Sequence, residues 1–445
     1  MSYNKIIVSS AKKIEGTIEV PPDKSISHRA VMIGAIAEGT TEVDNFLMGE
    51  DCLRTIEAFR EMGIKITQNP KPKTQSSNIV IEGRGLRGLR EPEKELYLGN
   101  SGTTMRIILG ILAGQDFECI LTGDESLSKR PMKRVIEPLA MMGAEINARF
   151  TPQCSKLKDK YPPLRIKGRY PLKAIRYNLP FPSAQVKSAI LLAGLYANGT
   201  TEVIEPVQSR DHTERMLKEF NANIKSEGRK ISIEGAKLKS KGIIVIPGDI
   251  SSAAFFIVAA LILKSSKVTI KNLGVNTTRT GIIDILRNMG AQIELSNLKQ
   301  DYFEPTADVT VKSSTLKGIT IHPEIIPRLI DELPIIMVAA ALSRGLTVIK
   351  GAGELRVKET DRIFSMTTNL KKMGADITVD GDDILINGPA MLQGAEVDSS
   401  NDHRTAMAMA IAGLMAEGKT TILNTACIKK SFPGFEDLVN TCSTN

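Results

Sequence analysis

Lys24, Ser25 and Arg29 fall within a few residues of one another in Pro21-Pro22-Asp23-Lys24-Ser25-Ile26-Ser27-His28-Arg29, at the head of an apolar stretch. Two cations, hydroxyls and the backbone N–H groups of a helix start suit a phosphate or a carboxylate. In Leu98-Gly99-Asn100-Ser101-Gly102-Thr103-Thr104-Met105-Arg106, glycine and small hydroxyl residues lead into a helix without the lysine of a P-loop, an arrangement that can form an anion nest. Lys129-Arg130-Pro131 sets cations beside a proline placed to start a helix. Ser183-Ala184-Gln185-Val186-Lys187 offers hydroxyl, amide and ammonium in a first helical turn, and Ser209-Arg210-Asp211-His212-Thr213-Glu214 does much the same. The second half adds Asp331-Glu332-Leu333-Pro334, Lys358-Glu359-Thr360-Asp361-Arg362, Asp402-His403-Arg404 and Lys430-Ser431-Phe432-Pro433. Any one of these also reads as a capped turn or a solvated charged face. Their common place, at helix N-termini or in the loops that feed them, points to an anionic ligand held between two parts of the chain.

The elements that must position these residues come as a repeat. An apolar helix-like stretch, a small polar turn and a β-branched strand recur at Met32–Val43, Ile108–Leu121, Leu191–Val203, Ile257–Ile270, Met337–Val348 and Ala410–Ile422. Between them a helix closes on a Met-Gly-Ala type cap, at Gly63, Gly143, Asn221, Gly290 and Gly374, where glycine or asparagine suits a left-handed C-cap. The first set is too apolar for surface helices and is expected inside a ring of sheets. Two domains of three units each follow, with crossings near Val20-Pro21-Pro22 and Ile246-Pro247-Gly248.

Composition narrows the partners. The net charge of +8 is not gathered into basic blocks, only 4% of residues are aromatic and there is no Trp, so nucleic-acid stacking surfaces are poorly supplied and small anions are favoured. The five cysteines, Cys52, Cys119, Cys154, Cys427 and Cys442, match neither a disulfide framework nor a zinc site. No secretion signal is read at the N-terminus, and the longest apolar run, Ala253 to Leu263, is well short of the roughly 20 residues that span a bilayer. A cytoplasmic enzyme without a membrane segment is the expectation.

Taken in order, Asp23-Lys24-Ser25, Gly99-Asn100-Ser101-Gly102-Thr103, Lys129-Arg130-Pro131, Ser183-Ala184-Gln185-Val186-Lys187, Lys358-Glu359-Thr360-Asp361-Arg362, Asp402-His403-Arg404 and Lys430-Ser431-Phe432-Pro433 resemble the 5-enolpyruvylshikimate-3-phosphate synthases over essentially the full length. The resemblance implies the enolpyruvyl transferase fold: an α/β protein of two inverted barrel domains, each of three βαβαββ repeats with buried helices, joined by two crossing strands. Residues 1–21 plus 247–445 would form the discontinuous domain contributing the catalytic acid/base and phosphoenolpyruvate-binding residues, and 22–246 the domain contributing most of the shikimate 3-phosphate site. The implied reaction moves the enolpyruvyl group of phosphoenolpyruvate to the 5-hydroxyl of shikimate 3-phosphate, in the pathway to chorismate and aromatic amino acids, in a monomer using no cofactor or metal.

Carried over by motif, Lys24, Ser25, Arg29, Ser183, Ala184, Gln185, Ser209, Arg210, Asp331 and Lys358 would meet shikimate 3-phosphate. Lys24, Gly102, Arg130, Gln185, Arg362, Arg404 and Lys430 would meet phosphoenolpyruvate. Asp331 resembles the base and Glu359 the acid, with Lys24 able to assist. Ser183-Ala184-Gln185-Val186-Lys187, Arg210-Asp211-His212-Thr213-Glu214 and Asn276-Thr277-Thr278-Arg279 resemble the family's second class; Gly102 and Ile107 leave sensitivity to the inhibitor glyphosate open. The sister transferase acting on UDP-N-acetylglucosamine typically carries a cysteine before its Arg-Pro motif, and Gly123-Asp124-Glu125-Ser126-Leu127-Ser128 holds none. Cys119 falls earlier, in a strand-like run that suits a buried inert thiol. A basic nucleic-acid-binding protein is the alternative from a different class, distinguished by a steep salt dependence.

Overall fold

The computed structural model describes residues 4–70, 76–149, 160–300 and 302–444; Cys154 lies outside the described residues. The chain divides into a continuous unit, Pro22–Ile246, and a split unit, Met1–Pro21 with Pro247–Asn445.

In the continuous unit the helices run in order α1 (Lys24–Ala35), α2 (Glu50–Glu61), α3 (Gly102–Leu112), α4 (Lys133–Met141), α5 (Ala184–Gly194) and α6 (His212–Glu219). One sheet pattern occurs three times. Leu96–Tyr97 pairs parallel with Glu118–Thr122, which pairs antiparallel with Tyr161–Lys167, whose far side takes Glu145–Arg149. Arg176–Asn178, Thr200–Ile204, Lys230–Glu234 and Asn223–Glu227 repeat that order. The third copy is closed by the far end of the unit, because Ile243–Val245 returns as the parallel partner of Glu38–Leu47, beside Ser76–Arg84 and Lys65–Pro70. Tyr161–Lys167 alternates buried and exposed residues, as a strand covered on one face must.

The odd-numbered helices are enclosed, and α3 and α5 each connect the two strands of a parallel pair. Every residue of α3 from Ile107 to Leu112 is buried, as is every residue of α5 from Val186 to Gly194. Their backbones approach so closely that a Cβ on Gly110 would lie 2.1 Å from the Ala189 carbonyl oxygen, which only glycine permits. The even-numbered helices are half-buried; α2 and α4 turn out of their last turns through Gly63 (φ 84°) and Gly143 (φ 108°), and α6 through Asn221 (φ 60°). One expectation is corrected: Pro131 does not start α4. Met132 is the N-cap and donates its N–H to the Lys160 carbonyl at 2.8 Å, which keeps the residues before Lys133 out of the helix.

The split unit builds the same pattern from α7 (Ile250–Ile262), α8 (Gly281–Asn288), α9 (Leu333–Ala341), α10 (Arg362–Lys372), α11 (His403–Met415) and α12 (Phe435–Cys442). Here the N-terminal segment completes two sheets. Lys13–Ile18 is the parallel partner of Lys267–Gly274, and Lys5–Ser9 pairs antiparallel with Lys419–Leu423. Every residue of α9 is buried, and so is every residue of α7 up to Leu261. Among the described residues no helix is long and apolar enough to cross a membrane.

Candidate active site

In the continuous unit the enclosed helices start with side-chain caps. Asp23 accepts from the Ile26 N–H at 2.9 Å, Ser101 from Thr104 at 3.1 Å and Ser183 from Val186 at 3.4 Å. Each cap satisfies one orphan donor and fixes the first turn that carries Lys24 and Ser25, Gly102, or Ala184 and Gln185. These turns are then tied to one another. Gln185 donates to Thr103 Oγ1 at 3.0 Å and accepts from Arg106 Nη1 at 3.0 Å. Arg106 also donates to the Pro131 carbonyl. Arg130, 6% exposed, is aimed by Asn100 Oδ1 at 2.7 Å, and Asn100 is in turn held by Asp124 at 2.8 Å. A Cβ added at Gly102 would sit 2.8 Å from Arg106 Nη1 and 3.0 Å from Arg130 Nη1, so two guanidinium groups converge on this glycine.

Lys24 forms an ion pair with Asp51 at 3.1 Å. Arg29 is buried and donates to Thr213 Oγ1, Ser188 Oγ and the Ser25 carbonyl at 2.7, 2.9 and 3.0 Å, so it braces α1, α5 and α6 together. Ser209 is buried and its hydroxyl donates to Glu205, while Arg210 beside it is half-buried. Below this layer, Thr55 joins His28 Nδ1 and Thr104 Oγ1, each at 2.7 Å. Burial, with the charges of Lys24 and Arg29 adding to it, holds the His28 pKa well below the usual histidine range.

In the split unit Arg362 is 1% exposed and meets three carboxylates: Asp402 at 2.8 Å, Asp331 at 3.3 Å and Glu359. The five donors of its planar fork let one guanidinium serve carboxylates in several directions at once. Asp402 caps α11 through the N–H groups of Arg404 and Thr405, and Arg404 Nε lies 3.5 Å from Asp331. Lys358 follows the turn Gly353–Val357, and desolvation holds its ammonium below the usual lysine range although Glu354 and Asp331 pull it upward. Lys430 closes the turn Thr425–Lys430, which is anchored by the fully buried Phe432 packed against Phe256 and Phe435 at 5.9 and 5.4 Å between centroids.

The structure therefore groups Lys24, Ser25, Arg29, Gly102, Arg130, Ser183, Ala184, Gln185, Ser209 and Arg210 in one unit and Asp331, Lys358, Glu359, Arg362, Arg404 and Lys430 in the other. Sequence reading did not give Arg106, Asn100 or Asp51 a role. Arg106 lies one turn after Gly102 in the same glycine-rich motif, and this spacing is the signal the sequence offers. Asp51 carries no such signal, because its partner is 27 residues away. Among the described residues no group of His, Cys, Asp and Glu is placed to hold a metal ion. Cys119 is buried in a strand, and burial pushes its thiol up to about 12, so it is no thiolate nucleophile.

A family model described as EPSP synthase (3-phosphoshikimate 1-carboxyvinyltransferase) matches residues 8–439. A relative from Brevibacillus brevis named 3-phosphoshikimate 1-carboxyvinyltransferase is 52% identical over 434 residues, 97% of this chain and 98% of its own. One of the same name from a Thermoanaerobacter species is 52% identical over 431 residues, again 97% and 98%. Among solved structures, an EPSP synthase from Acinetobacter baumannii matches with a TM-score of 0.84 at 47% identity, covering 99% of this chain and 98% of that one. The enolpyruvyl transferase NikO from Streptomyces tendae matches with a TM-score of 0.78 over 98% and 97% of the two chains; at 16% identity it shows the shared fold alone.

Proposed function

The chain belongs to the EPSP synthase family, and from that premise we propose that it transfers the enolpyruvyl group of phosphoenolpyruvate to the 5-hydroxyl of shikimate 3-phosphate, releasing inorganic phosphate. The observation that carries the reading is the Arg362 clamp, which presents Asp331 and Glu359, the two carboxylates that acid/base chemistry needs, from one buried guanidinium. A fixed guanidinium also offers charge to a substrate carboxylate or phosphate without reorganising.

In the proposed mechanism Asp331 takes the proton of the 5-hydroxyl as that oxygen bonds to C2 of phosphoenolpyruvate. Glu359, assisted by Lys24, delivers a proton to C3, giving a tetrahedral ketal phosphate. The C2–O bond to phosphate then breaks, a methyl proton returns to the protein, and the enol ether forms with phosphate as the leaving group. Arg130, Arg404, Lys430 and the Gly102 turn hold the phosphoenolpyruvate anion. Ser25, Ser183, Gln185, Arg210 and Lys358 hold shikimate 3-phosphate, with Arg29 bracing the helices that carry Ser25 and Gln185. The proposal extends to a monomer working in the cytoplasm, the first part of which light scattering on the purified protein tests.

The deciding experiment follows phosphate release from phosphoenolpyruvate with shikimate 3-phosphate, beside a UDP-N-acetylglucosamine control. Release that requires shikimate 3-phosphate supports the proposal. Release only with the nucleotide sugar, or with neither acceptor, overturns it.

A further inference from the structure

Lys187 belongs to a motif noticed for its helix start, yet its side chain is 1% exposed, in the second turn of α5. An ammonium has three protons to donate. Those of Lys187 reach Glu214 Oε1 at 2.6 Å, Glu205 Oε2 at 2.9 Å and the Ser209 carbonyl at 3.4 Å. Glu205 then uses its other oxygen, Oε1, to accept both the N–H of Ser209, at 3.1 Å, and the Ser209 hydroxyl. The carbonyl, amide and hydroxyl of one residue are thus all fixed by two buried side chains, and that residue immediately precedes Arg210. Removing Lys187 would leave two buried carboxylates without their cation, whereas removing Glu205 leaves the ammonium with Glu214 but takes the acceptor from the Ser209 N–H and hydroxyl, so a pair this deep is weak evidence for net stability and its specific effect falls on Ser209.

We propose that Lys187 and Glu205 are a buried positioning pair that sets the Ser209–Arg210 turn to receive the phosphate of shikimate 3-phosphate; the assignment rests on the function proposed above. The pair also joins that turn to the α5 start, which carries Ser183 and Gln185, so two parts of the same substrate site share one anchor. Glu214 is a bystander to this task. It pairs with Lys187 and makes no hydrogen bond to Ser209, its Oε2 has no hydrogen-bond partner, and desolvation raises its pKa despite the ammonium beside it.

Two isosteric replacements around one ammonium should therefore behave differently. In Glu205→Gln the amide cannot accept on both sides, because its NH2 must face either the Lys187 ammonium or the Ser209 N–H and O–H donors. The KM for shikimate 3-phosphate should rise about tenfold, the scale of one lost charge-assisted hydrogen bond, with the KM for phosphoenolpyruvate and kcat within about threefold of the parent. In Glu214→Gln the carbonyl can keep Lys187 while the NH2 takes the place of the unpartnered oxygen, and all three constants should stay within about twofold. A general loss of rigidity would instead move both KM values together, or both variants alike. Either pattern overturns the proposal, as does a Glu205→Gln enzyme with parental constants. Should Glu205→Gln not fold, Glu205→Asp, which keeps both acceptors but shortens the reach, is judged by the same split between the two KM values. An inactive parent would overturn the function itself, whereas an active parent with indifferent variants overturns only the positioning role.

Discussion

Asp331 receives two guanidinium groups, from Arg362 at 3.3 Å and Arg404 at 3.5 Å. Two cations on one carboxylate hold it in a single orientation, as a base must be held if it is to meet a particular hydroxyl. Asp331→Asn keeps the shape and an acceptor oxygen but removes the basic site. Turnover is expected to fall at least about a thousandfold, while the dissociation constant of shikimate 3-phosphate changes by no more than about fivefold. Phosphate release and calorimetric titration measure the two. Turnover above a tenth of the parental rate would remove Asp331 from the role of base. The charged residues of the site were legible because they stand beside helix starts in short motifs. The residues that aim them were not: Asp51 and Glu205 contact partners 27 and 18 positions away and in the sequence look like ordinary surface polarity, while Asn100 stands in a short motif whose sequence does not show that its partner is Arg130, 30 positions on.

At the scale of elements, the enclosed helices were readable because an all-round apolar helix has no solvated face to betray it otherwise, and the outer ones because four of their ends need glycine. The last outer helix escaped this reading. α12 ends at Ser443 in an extended conformation, so no glycine or asparagine marks its C-terminus. The close crossing of α3 and α5 was equally hidden, since a glycine inside an apolar helix looks like a weakness until the neighbouring backbone is known. Gly110→Ala puts a methyl group 2.1 Å from a carbonyl oxygen that belongs to another helix backbone and cannot swing aside. The expected loss is about 3 kcal/mol, the upper part of the range for overpacking a core, read as a lower urea midpoint with an unchanged m-value. A midpoint within error of the parent would mean that the two helices separate at little cost.

For the whole molecule the strand order was the least legible feature. Lys13–Ile18 pairs with a strand about 250 residues later, and Ile243–Val245 with one about 200 residues earlier. Nothing local encodes such partners; they follow from closing each set of sheets around its apolar helices. The net charge of +8 was legible at once, but its meaning depends on where the cations lie. Many are spent on exposed pairs such as Lys65 with Glu82 and Lys129 with Glu125, which salt screens. Of the cations proposed to meet substrate, Arg130, Arg362 and Arg404 are enclosed instead, each no more than 6% exposed, and Lys24, Arg210, Lys358 and Lys430 are half-buried. Salt should then weaken the long-range attraction of the anions but hardly the bound state. Between about 20 mM and 500 mM potassium chloride, kcat/KM for each substrate is expected to fall by no more than about tenfold, with kcat nearly constant. A fall through several decades, of the size seen when solvated lysines and arginines hold a phosphate backbone, would place the binding charge on the surface and contradict the buried clamp.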